Sequence, residues 1–148
     1  MKFIIIFLSV FVYSQAIEKE FVDNFLAKLK EIGEQCLPET GASTDDLASL
    51  WAHTIPESHE GKCLILCYHK YFNMQDDDGN LSKDGFLVAL EPLKEHDAVI
   101  YEKFLKIYDT CSTSVGKDSD PCQYAADLTA CAIKEGHAMG LKEELFLE

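Results

Sequence analysis

The chain contains no arginine: all thirteen of its basic residues are lysines, set against 26 Asp and Glu. The resulting formal charge of −13 becomes one unit more negative if Lys2 is removed with a leader segment. A surface of that sign repels phosphate backbones and anionic lipid, so nucleic-acid and membrane partners are disfavoured. The same charge keeps a concentrated protein in solution. The chain also lacks any long apolar run after the N-terminal one, which excludes a later membrane span. It has no alternating period-2 stretch long enough for a sheet, and no internal repeat. No Gly-x-Ser-x-Gly elbow occurs, so a serine hydrolase has no nucleophile turn to work from.

The one long apolar run lies at the start. Lys2 precedes Phe3 to Val12, and Ser14-Gln15-Ala16 places small residues where a signal peptidase cuts. Residues 1–16 therefore read as a secretory signal peptide rather than an anchor, which needs about 20 apolar residues. The expected domains are this leader and one helical domain over 17–148, with residues 140–148 as a possible C-terminal lid. Secretion in turn exposes the six cysteines to an oxidising compartment, where an even number in a short chain forms disulfides.

The rest of the chain reads as all-α. Ile17, Phe21, Phe25, Leu29, Ile32 and Cys36 recur every three or four residues as one helical stripe, ended by Pro38 and Gly41. A second helix starts at Ser43-Thr44, carries Leu47, Leu50 and Trp51, and stops before Pro56. A third spans about Glu60 to Asn73. Ser82 caps a fourth, which Pro92 interrupts, and a fifth runs from about Asp97 to Cys111. Asp120-Pro121 opens a sixth, which Gly136 and Gly140 break.

The cysteines stand at 36, 63, 67, 111, 122 and 131, spaced Cys-x26-Cys-x3-Cys-x43-Cys-x10-Cys-x8-Cys. Cys63 and Cys67 lie on one face of one helix and are poorly placed to bond each other. Cys122 and Cys131 are separated by about 13 Å of helix, beyond the roughly 7 Å a disulfide spans between Cα atoms. Of fifteen possible pairings, ten survive both exclusions. Helix geometry goes no further.

The joint spacing, with three residues between the second and third cysteines and eight between the fifth and sixth, resembles that of the insect odorant-binding proteins. The general and pheromone-binding branches are included. Helical pattern, leader, acidity and length agree, and the third interval is at the long end for the family. The resemblance implies a six-helix compact domain stapled by three disulfides around a hydrophobic ligand cavity. It also implies the pairing Cys36–Cys67, Cys63–Cys122 and Cys111–Cys131. Each bond contributes about 3–4 kcal/mol in the chain-entropy model, which helps a hollow domain that gives up core contacts.

The function so implied is a secreted carrier that reversibly binds small hydrophobic odorants or pheromones and takes them to chemoreceptors, in sensillar lymph. The same scaffold could serve a non-olfactory carrier or scavenger in saliva, reproductive gland or haemolymph. Neither reading involves an enzyme, a cofactor or a metal, and the chain is expected to be a monomer or weak homodimer. The wall candidates are Leu29, Leu50, Trp51, Phe72, Met74, Phe86, Leu87, Leu90, Phe104, Tyr108, Leu128 and Phe146. Tyr68, Tyr71, Tyr101, Tyr108 and Tyr124 are candidate hydroxyls for orienting a ligand. Leu141, Leu145 and Phe146 could fold over the mouth.

Other motifs carry less. Asp76, Asp78 and Asn80 alternate like a calcium loop, but neither possible frame supplies the bidentate glutamate. The five histidines, at 53, 59, 69, 96 and 137, lack metal spacing and stand as pH sensors at most. Family members are thought to release ligand in acidified conditions near membranes. His96-Asp97 matches a small secreted phospholipase only superficially, since the cysteine pattern and calcium loop are missing. A saposin-like protein would begin with Cys-x2-Cys, which is absent.

Overall fold

The computed structural model describes residues 19–141, so the leader, Leu145 and Phe146 lie outside the described residues. Six helices follow in order: α1 (Lys19–Thr40), α2 (Thr44–Trp51), α3 (His59–Tyr71), α4 (Lys83–His96), α5 (Ala98–Ser114) and α6 (Pro121–Ala138). The only extended pairing among the described residues is an isolated bridge between Gln75 and Leu81. None of the described helices is long and apolar enough to cross a membrane.

Short polar residues start the helices. Ser43 and Asp46 form a reciprocal capping box at α2, with Asp46 N–H donating to Ser43 Oγ at 3.1 Å and Ser43 N–H to Asp46 Oδ2 at 2.8 Å. Ser58 caps α3 and also donates to Asp46 Oδ1 at 2.7 Å, tying the start of α3 to α2. That bond, first among several, holds the Asp46 carboxyl below its usual range. Ser82, Asp97 and Asp120 cap α4, α5 and α6. Gly41 ends α1 in the left-handed region at φ 74°, its N–H returning to the Leu37 carbonyl.

Three expected breaks are not breaks. α1 continues through Pro38 to Thr40, and α4 continues through Pro92 to His96. The carbonyl that Pro92 cannot serve belongs to Val88, which is 73% exposed and so open to water. α6 also passes through Gly136 and stops only before Gly140, at φ 76°.

α3 is the central helix, packing most extensively on α6 and next on α1. Its Leu64 joins Ile32 and Cys36 of α1, while Ile65 and Leu66 join Cys122, Ala125 and Ala126 of α6. The small Ala125 and Ala126 let the two helices approach, and both are essentially inaccessible. A third cluster holds Leu93 of α4, Ile100, Tyr101, Ile107 and Cys111 of α5, and Leu141. The disulfides are Cys36–Cys67, Cys63–Cys122 and Cys111–Cys131, with Cα separations of 5.9, 4.5 and 5.8 Å. They join α1 to α3, α3 to α6 and α5 to α6.

Candidate functional site

The buried residues fall into three separate clusters instead of one contiguous core. Many other apolar side chains are only half-buried. Nine of the eleven described wall candidates have this intermediate exposure: Leu29, Leu50, Phe72, Met74, Phe86, Leu87, Leu90, Phe104 and Tyr108. Leu50 touches both clusters on α3, and Phe72 flanks the one shared with α1. Leu90 and Phe104 flank the α4–α5 cluster. Phe86 and Tyr108 stack across α4 and α5 with centroids 4.4 Å apart. Leu128 is buried, whereas Trp51 at the end of α2 is 42% exposed.

Two clefts open elsewhere. One of about 740 Å³ lies along the outer face of α5, lined by Glu102, Leu105, Lys106, Asp109, Thr110, Thr113 and Ser114. The other, about 340 Å³, lies over the loop between α3 and α4. Size alone would suit a small molecule, but most of the lining residues are polar or charged and none is a wall candidate.

The candidate hydroxyls separate by environment. Tyr68 donates to the Leu29 carbonyl at 2.9 Å, reaching it across Gly33. Burial pushes its phenol pKa up. Tyr71 is 44% exposed with Lys28 over its ring, and Tyr101 packs in the α4–α5 cluster under Lys94. Tyr124 is buried on α6. Tyr108 is half-buried, its phenol pKa raised chiefly by burial.

One polar feature escaped the sequence reading. His69 of α3 is hydrogen-bonded through both ring nitrogens, Nδ1 to Gln75 Oε1 and Nε2 to Thr129 Oγ1 at 3.2 Å. The Gln75 amide is oriented by its own Nε2–H, which donates to the Gly79 carbonyl at 3.2 Å. Its oxygen therefore faces the imidazole, so Nδ1 donates and Nε2 accepts from the threonine hydroxyl. Burial lowers the His69 pKa, partly offset by the bond to Gln75. The triad fastens the α3–α4 loop to α6. Thr129 on an otherwise apolar helix face was the available signal.

The acidic loop is engaged with itself. Asp76 Oδ1 accepts from the Asp78 and Asn80 amides at 3.0 and 2.8 Å, and Oδ2 accepts from Asn80 Nδ2 at 2.8 Å. These bonds, that of the Asn80 side chain first, lower the Asp76 pKa. Asp77 pairs with Lys70, and Asn80 receives Lys117. The carboxylate serves the turn.

Compared with known proteins, residues 18–135 match the model of the PBP/GOBP family. The chain belongs to that family. It is 31% identical over 116 residues to general odorant-binding protein 28a of Drosophila melanogaster, covering 78% of this chain and 80% of that one. It is 29% identical over 114 residues to general odorant-binding protein 19d of the same species, covering 77% and 75%. Its fold matches the solved structure of the Drosophila odorant-binding protein dmelOBP28a with a TM-score of 0.69, over 81% of this chain and 98% of that one at 29% identity. Apis mellifera odorant binding protein 5 shares the fold at 20% identity, with a TM-score of 0.64 over 86% and 97%.

Proposed function

We propose that this protein is a secreted carrier of small hydrophobic ligands of the odorant or pheromone class, taking them through water to a chemoreceptor-bearing membrane without covalent chemistry. The observation that carries this is the set of apolar side chains left half-buried beside the buried clusters: Phe72 flanks one, and Leu90 and Phe104 flank another, apolar surface that a small ligand would cover. Membership of a family whose members include odorant-binding proteins supports the same reading.

Apolar walls supply the affinity. Burying about 300 Å² of ligand at 25 cal/mol/Å² gives roughly 7–8 kcal/mol gross, and association costs bring that to micromolar binding. The tail from 140 to 148 is proposed as a lid. Leu141, the last described residue, is packed into the α4–α5 cluster at 4% exposure. The test is displacement of a fluorescent apolar probe by a panel of alcohols, aldehydes, esters and terpenes. Micromolar displacement is expected, and failure to take up the probe would overturn the carrier reading. Deleting residues 140–148 without changing ligand exchange rate would remove the lid.

A further inference from the structure

The candidate hydroxyls are not equally placed to meet a ligand. We propose that Tyr108 and Tyr124 form the polar anchor of the binding site and select apolar ligands carrying an acceptor oxygen (aldehyde, ketone or ester) over plain hydrocarbons. The proposal deepens the carrier reading and rests on it.

Tyr124 is 5% exposed, and Leu128, one turn further along the same face of α6, is 8% exposed. Both are buried, yet neither belongs to any of the three buried clusters. The loop before α4 covers the Tyr124 ring, since a Cβ on Gly79 would stand 3.7 Å from its Cδ1. The Tyr124 hydroxyl has no hydrogen-bond partner among the described residues. No fully enclosed side-chain oxygen or nitrogen among them lacks one. An unpartnered hydroxyl on so buried a side chain therefore opens onto space that admits a polar atom.

Tyr108 of α5 is half-buried and stacks on Phe86 of α4 at 4.4 Å between centroids. Its hydroxyl is also without a hydrogen-bond partner among the described residues. Exposed Lys83 and Asp109 pair with each other at 3.0 Å beside it, with Lys83 Nζ 6.0 Å from the ring centroid. Burial, and in smaller part the negative charge of Asp109, Tyr124 and Asp84 against the opposing Lys83, raises the Tyr108 phenol pKa. The two phenols thus stand within electrostatic reach of each other, beside an apolar stack.

The remaining tyrosines are otherwise placed. Tyr68 donates to the Leu29 carbonyl. Tyr71 is 44% exposed under Lys28. Tyr101 is packed within the α4–α5 cluster, with Lys94 over its ring. Only Tyr108 and Tyr124 combine an unpartnered hydroxyl with a position outside the buried clusters and away from bulk water. Each O–H donates to an oxygen brought in by the ligand. A hydrocarbon leaves both unpaired where water is excluded, and a site built to bond oxygen discriminates against the analogue lacking it.

Displacement of a fluorescent naphthylamine probe by a linear alkane and by the aldehyde of the same carbon number tests this, with the ratio of the two affinities as the readout. Tyr108→Phe and Tyr124→Phe should each lower the aldehyde-to-alkane ratio about threefold, and together about tenfold. Alkane affinity should stay unchanged, which also shows that the variants fold. Tyr101→Phe removes a hydroxyl of the same kind and should leave the ratio as it was. An unchanged ratio in the double variant, an equal loss for alkane and aldehyde, a loss carried wholly by one tyrosine, or the same loss in Tyr101→Phe would each overturn the anchor while leaving the carrier reading in place. Failure of the unaltered protein to take up the probe would overturn both.

Discussion

Gly33 lies in mid-helix yet should resist the substitution that helices ordinarily welcome. Replacing an interior glycine by alanine stabilises a helix by about 1 kcal/mol. Here the added Cβ would collide with the Tyr68 hydroxyl and come within 3.0 Å of Leu47 Cδ1. Overpacking of this kind costs about 1–3 kcal/mol, and displacing the phenol also weakens its bond to Leu29, worth about 1 kcal/mol. The net expectation for Gly33→Ala is a loss of about 1–3 kcal/mol, propensity included. Tyr68→Phe removes the colliding atom, leaving the ring carbon at 3.4 Å as the nearest part of that side chain. Combined with Tyr68→Phe, the alanine should therefore be about neutral or slightly stabilising. Urea unfolding of the four proteins, with m unchanged, reads the cycle. If Gly33→Ala raises the midpoint of the otherwise unaltered protein by the full propensity gain, the close-approach argument is wrong.

Other expectations concern the polar triad and the staples. Since the folded pKa of His69 lies below its ordinary 6.5, the unfolded chain takes up that proton first. Stability is then unaffected above about pH 6.5 and falls as pH drops below it, until the folded-state pKa is reached. Thermal melts between pH 7.5 and 5 should show a steeper loss for the unaltered protein than for His69→Gln; equal slopes would assign the loss to other groups. Thr129→Val keeps the shape but leaves His69 Nε2 without a donor, costing about 1–2 kcal/mol by urea titration. Replacing Cys63 and Cys122 by serine should cost about 1 kcal/mol more than replacing Cys111 and Cys131, because the bonds close loops of separation 59 and 20.

Helix starts were the most legible feature, because capping is local: Ser43, Ser82, Asp97 and Asp120 each act within three residues of themselves. Helix ends were less so. Pro38, Pro92 and Gly136 are local breakers that packing overrides, the carbonyl freed by Pro92 being open to water. For the wall, the sequence picked out apolar faces but not depth. Trp51 looks as apolar as Leu128, yet one is 42% exposed and the other 8%. The His69–Gln75–Thr129 triad joins residues 60 apart in sequence, and no spacing announces it.

Sequence alone determined the all-α class, through periodicity and caps, and the acidic character that disfavours nucleic acid and anionic lipid. Its cysteine spacing carried the likeness to the family. Only the tertiary structure decided which apolar side chains close the clusters and which stay half-buried. It also decided which histidine is hydrogen-bonded through both ring nitrogens and which disulfide has an imidazole beside it. Periodicity reports the direction a residue faces along its own helix. What lies opposite depends on how six helices are set against one another, and that arrangement has no local signature.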